Sequence, residues 1–103
     1  MIALIEERVA ELRALCVEHL VVRLSLFGSA AREDFDPATS DLDFLVAFAE
    51  LPPGELSRAY FDFADALTRL FGRKVDLVTE GTVRNPYRRA SILAEQQPLY
   101  DAA

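Results

Sequence analysis

The pattern that most constrains this chain lies between Ser25 and Val46, "SLFGSAAREDFDPATSDLDFLV". It holds the end of one apolar strand and the start of another. The first, "VVRLSLF" from Val21 to Phe27, alternates: Val22, Leu24 and Leu26 face one way, Arg23 and Ser25 the other. Gly28-Ser29 stops it. The second runs from about Asp41 to residue 48 and opens with two carboxylates, Asp41 and Asp43. Residues two apart on a strand leave the same face, about 6.6 Å apart along the backbone. Leu42, Phe44 and Val46 then point the other way, toward helices. An acid pair at a strand start is either solvated loop chemistry or half of a site.

The flanking segments supply those helices. Residues 2–18 carry Ile5, Val9, Leu12 and Cys16 on one helical stripe. Residues 29–35 suit a short helix begun by Ser29, with Glu33 and Asp34 on a solvated face, and Asp36 to Ser40 is a turn-rich loop. After Pro52-Pro53-Gly54, Leu56, Tyr60, Phe63, Leu67 and Leu70 recur in steps of four and three, and Gly72 suits the helix stop. A third strand, about Lys74 to Thr79, contains "VDLV". Asn85-Pro86 then offers a cap and a first-turn proline for a last helix ended before Pro98. The order predicts one α/β (α+β) domain over residues 1–103, a small three- to four-stranded mixed sheet covered by helices.

The helix between the second and third strands is a crossover, which favours parallel pairing. Asp76, near the start of the third strand, can then come beside Asp41 and Asp43. If the first strand runs antiparallel to the second, its Gly28-Ser29 end meets the same corner. Three carboxylates with no basic residue assigned to them repel one another, and a divalent cation relieves that. All-oxygen ligands suit Mg²⁺ or Mn²⁺, with phosphate oxygens completing the shell. Gly28 lets a phosphate approach the backbone, and Ser29 can donate O–H and N–H to it.

Bulk properties narrow the partners. A net charge of −6 disfavours direct binding to a nucleic-acid backbone. A single cysteine, Cys16, excludes an intrachain disulfide and reads as core, so a cytoplasmic location is expected. The N-terminus shows no signal-peptide pattern, and no apolar run approaches a membrane span of about 20 residues.

Three stretches carry a family resemblance: "FGSAARED" (Phe27 to Asp34), "SDLDFLV" (Ser40 to Val46) and "VDLV" (Val75 to Val78), with "RNPYRRASILAEQQPLY" (Arg84 to Tyr100) in support. With them the chain resembles the DNA-polymerase-beta-like nucleotidyltransferases, most closely their minimal branch. The resemblance implies that fold, and Mg²⁺-dependent transfer of AMP from ATP. It implies phosphate contacts at Gly28 and Ser29, and a catalytic, metal-binding set of Asp41 and Asp43 completed by Asp76. It also implies a partner, a HEPN-domain ribonuclease toxin that the transferase neutralises, as antitoxin, by modifying a tyrosine. Eleven residues, Ala30 to Ser40, separate Ser29 from Asp41, one more than the family's usual spacing.

Other residues admit two readings. Arg32 either holds the triphosphate, as the family pattern has it, or pairs with Asp34 or Asp36. Arg84, Arg88 and Arg89 form the one basic cluster, for a phosphate, an acidic partner or nothing. His19 reads as a helix C-terminal dipole partner. The alternative to catalysis is a binding module that neutralises a toxin by contact. With no second domain to cover the adenine, one wall of the site is left to a partner or a second copy.

Overall fold

The computed structural model describes residues 1–32 and 34–102, so Glu33 lies outside the described residues. The elements follow in the order α1 (Ala3–Glu6), α2 (Val9–Glu18), β1 (Val21–Phe27), α3 (Ser29–Arg32), β2 (Leu42–Phe48), α4 (Pro53–Phe71), β3 (Val75–Thr79), α5 (Pro86–Glu95) and β4 (Gln97–Asp101). The strands form one four-stranded sheet in the order β3-β2-β1-β4. β1 is antiparallel to β2 and to β4, and β2 is parallel to β3. This is the expected mixed sheet of an α+β fold.

Period-2 alternation divides the sheet into two faces. On one, Leu24 and Leu26 of β1 join Leu42, Phe44 and Val46 of β2, all fully buried. They pack with Ile5, Leu12 and Cys16 from α1 and α2, and with Phe63, Leu67 and Phe71 from α4. Burial pushes the Cys16 thiol up to about 12, so it behaves as a small core hydrophobe. α4 ends at Gly72, whose φ of 63° is the left-handed conformation that closes a helix at little cost for glycine. On the other face a smaller core joins Phe27, Leu45 and Ile92, with Val78 and Val83 against it. Ile92 is the buried anchor of α5, and it seats that helix over the ends of β1 and β2.

Two elements differ from expectation. The expected helix over residues 2–18 is two pieces, because Glu7–Arg8 turn between α1 and α2 and the Arg8 N–H bonds the Ile5 carbonyl at 3.0 Å. No glycine or proline explains the break, and the apolar stripe still lands in the core. The chain beyond α5 adds a strand, β4. Its Pro98 costs nothing there, since β4 is an edge strand with only one neighbour to satisfy. Leu99 turns inward and is buried. His19 caps the C-terminus of α2 through its backbone, and its ring lies 5.7 Å from that of Phe63. Among the described residues no helix is long and apolar enough to cross a membrane.

Ile92→Ala should remove most of what anchors α5. We expect a loss of about 2–3 kcal/mol, toward the lower end for a buried isoleucine because the second core is small. Urea unfolding measures it, and a loss below about 0.5 kcal/mol would mean that α5 is held by other contacts.

Candidate active site

The strand registers bring the predicted corner together. Phe27, the last residue of β1, pairs with Asp43 across the antiparallel ladder. Asp43 in turn pairs with Asp76 across the parallel ladder. Asp41 sits just before β2, and the loop ahead of it is closed by the Asp36 side chain, which accepts from the Ala38 N–H at 2.9 Å. Ser40 Oγ accepts from the Asp36 N–H at 3.0 Å, which fixes the approach to the strand.

Gly28 is required twice over. Its φ of +72° is strained for any side chain, and a Cβ built on it would collide with the Asp43 Oδ2 atom. Backbone and carboxylate are thus packed directly together. The Gly28-Ser29 turn, Arg32, Asp41 and Asp43 line one side of an open cleft of about 410 Å³. The other side is the α5 face that carries Arg88, Ser91, Ile92 and Glu95. Asp76 is exposed beside Asp43 and is not part of the cleft wall.

Asp43 is half-buried. Burial, then the negative charges of Asp76 and Asp41, push its carboxyl up to about 6, against the pull of Arg32 and Arg88. Among the described residues the three carboxylates share no basic partner, but one of them has its own: Lys74 Nζ lies 3.5 Å from Asp41 Oδ2. That corrects the expectation that the acids have no paired base. In the sequence Lys74 marks only the start of a strand, and its place next to Asp41 follows from the parallel register of β2 and β3. Among the described residues no group of three His, Cys, Asp or Glu side chains is already placed to hold a metal ion.

Arg32 resolves toward pairing, with a partner the sequence did not suggest. It donates from Nη1 to both Glu95 oxygens, at 3.1 and 3.2 Å, and its Nε lies 3.6 Å from Asp34. Glu95 also accepts from the Gly28 N–H at 3.2 Å. Of the α5 contribution, Arg88 belongs to the basic cluster visible in the sequence, whereas Ser91, Ile92 and Glu95 are not singled out there. The signal for that helix face was present, because Asn85 sets the helix phase by accepting from the Tyr87 and Arg88 N–H groups, at 2.9 and 3.2 Å. From there Arg88, Ser91, Ile92 and Glu95 fall on one face at steps of three and four. Arg84 and Arg89 are exposed and do not line the cleft.

Comparison with known proteins shows the family of this fold. Residues 5–98 match the nucleotidyltransferase domain. A Methanocaldococcus jannaschii chain named "Putative protein adenylyltransferase MJ0128" is 40% identical over 83 residues, which are 81% of this chain and 79% of that one. A second from the same organism, "Putative protein adenylyltransferase MJ1217", is 37% identical over the same shares. A solved structure described as a "putative minimal nucleotidyltransferase" is 36% identical, covers 92% of each chain and has a TM-score of 0.76. The fold also matches, at 18% identity and a TM-score of 0.65, a structure of a tri-AMPylated Shewanella oneidensis HEPN toxin in complex with an MNT antitoxin. That alignment covers 93% of this chain and 71% of the other. The chain belongs to the nucleotidyltransferase family, in its minimal branch, and is an enzyme of that class.

Two predictions follow from the corner. Gly28→Ala should destabilise the protein by about 1–2 kcal/mol from the positive φ alone and turn the Asp43 side chain out of the cleft. Thermal melting and a crystal structure read the two effects, and an unchanged melting temperature would contradict the packing. The second concerns pH. The folded Asp43 pKa lies above the unfolded value, so its contribution to stability is full below about 3.9 and is lost as pH rises through about 6. In metal-free buffer Asp43→Asn should therefore be more stable than wild type at pH 7, by about 1 kcal/mol once solvent screening is counted. The advantage should shrink toward pH 4. Urea unfolding at both values checks the sign, and a variant less stable at pH 7 would contradict it.

Proposed function

We propose that the protein transfers AMP from ATP to a hydroxyl of a partner protein, a tyrosine of a HEPN-domain toxin, and thereby acts as its antitoxin. The observation that carries this reading is the half-buried Asp43, held between Asp76 and the bare backbone of Gly28 at the rim of an open cleft. The curated relatives named for protein adenylyltransfer and the HEPN–MNT complex of like fold support it.

In this reading Gly28 and Ser29 bind the β- and γ-phosphates through N–H and O–H groups, and Arg88 faces them from α5. Asp41 and Asp43 would hold Mg²⁺ or Mn²⁺. The donor set fits: both are oxygen ligands in the cleft, and the Asp43 carboxyl, pushed up by burial and then by the charges of Asp76 and Asp41, is one whose ionised form a cation stabilises. Two carboxylates suffice for such an ion, because Mg²⁺ commonly uses one or two and takes its remaining ligands from phosphate and water. When bound, the ion supplies charge neutralisation at the reacting phosphate. Asp76, exposed beside Asp43, accepts the proton of the attacking hydroxyl. Pyrophosphate leaves along the Gly28-Ser29 turn. The cleft is open to solvent between the Gly28-Ser29 turn and α5, and there the acceptor protein presents its tyrosine.

Mass spectrometry of the toxin after co-expression tests this. Wild type should leave toxin carrying AMP. Ser29→Ala should cut the transfer rate by about 10–1,000-fold, the range for loss of a transition-state donor, while leaving toxin affinity unchanged. Asp43→Asn should abolish transfer. Unmodified toxin that is nonetheless fully neutralised by both variants would sink the enzyme reading and favour neutralisation by contact.

A further inference from the structure

Glu95 is in an unusual place. It is the last residue of α5, where the helix dipole disfavours a carboxylate. It is also mostly buried, with its side chain about 20% exposed. What holds it there is a set of donors: the Gly28 N–H at 3.2 Å, and Arg32 Nη1 on both carboxylate oxygens at 3.1 and 3.2 Å. A backbone N–H beside a strand-end glycine, together with a guanidinium, is an arrangement that equally suits a phosphate group. Glu95 also lines the cleft with Ser29 and Arg88.

We propose that Glu95 occupies the phosphate subsite of the free protein and so sets how tightly the cleft holds a triphosphate. The inference rests on the nucleotide reading given above. A triphosphate entering the cleft displaces the Glu95 carboxylate from Gly28 and Arg32 and takes over the same donors. Glu95 swings toward solvent past the end of α5. Its partners are then released to the ligand, and the apparent affinity is lowered by the strength of the internal contact.

Calorimetric titration of the full chain with Mg-ATP, and with inorganic tripolyphosphate as a base-free probe, tests this. Glu95→Gln keeps an acceptor for the Gly28 N–H but removes the charge. It should bind both probes about three- to tenfold more tightly than wild type, the range for loss of one competing charge-assisted contact. In an Arg32→Ala background most of that gain should vanish, because the shared donor is gone. Unchanged or weaker binding by Glu95→Gln, with wild type binding normally, would overturn the proposal and make Glu95 a fixed support for Arg32. Failure of wild type and Glu95→Gln alike to bind either probe would overturn both the proposal and the nucleotide reading. Should Glu95→Gln not fold, Glu95→Asp, one methylene short of Gly28, must show the tightening instead. Loss of fold in both variants would overturn the proposal.

Discussion

The contact on which the site depends is that between the Gly28 backbone and the Asp43 carboxylate. It exists because β1 and β2 pair antiparallel with Phe27 opposite Asp43, so the end of one strand lies against the start of the next. A side chain at residue 28 would have to push the Asp43 carboxylate aside. The same register sets Asp43 beside Asp76 on β3, through a parallel pairing that the α4 crossover imposes. A one-residue slip of β2 would turn its carboxylates into the apolar core and Phe44 out of it. The fully buried Leu42, Phe44 and Val46 therefore hold Asp43 on the opposite face.

The sheet's two faces do different work. The face under α1, α2 and α4 carries most of the buried apolar surface. The other holds only Phe27, Leu45 and Ile92 at its centre, yet it seats the helix that forms the second wall of the cleft. Charge is distributed accordingly. The chain carries a net −6, but Arg32 and Arg88 both act on Asp43, and Lys74 pairs with Asp41. A nucleotide can therefore meet positive charge locally on an acidic protein. Ordered by these few contacts, the rim is positioned by strand register rather than by loops alone, although Asp41 itself is held by the Asp36–Ser40 turn.

Much of this was legible in the sequence because it rests on period and connection. Alternation in "DLDFLV" and the long amphipathic helix between the second and third strands imply the parallel pairing that joins Asp43 and Asp76, whereas Gly28 reaches them through the antiparallel pairing of β1 and β2, which the sequence leaves as a condition. Less legible were features set by long-range packing. β4 is five residues long with one inward side chain, Leu99, too short to show a period, and Pro98 suggested a stop where an edge strand tolerates it. Lys74 beside Asp41 depended on a register fixed only by folding. Glu95 lies 67 residues beyond Gly28, and nothing in its neighbours foretold that it would reach across to that N–H. The break between α1 and α2 has no local cause in residue type.

The account's central claim is that the Gly28–Asp43 corner is where a nucleotide's phosphates and a divalent cation meet. A crystal structure with a non-hydrolysable ATP analogue and Mn²⁺, with the ion located by its anomalous scattering, tests it most directly. The account predicts phosphates on the Gly28-Ser29 turn and manganese held by Asp41 and Asp43. Phosphates bound elsewhere, or a nucleotide seated in the cleft with no ion at Asp43, would contradict it.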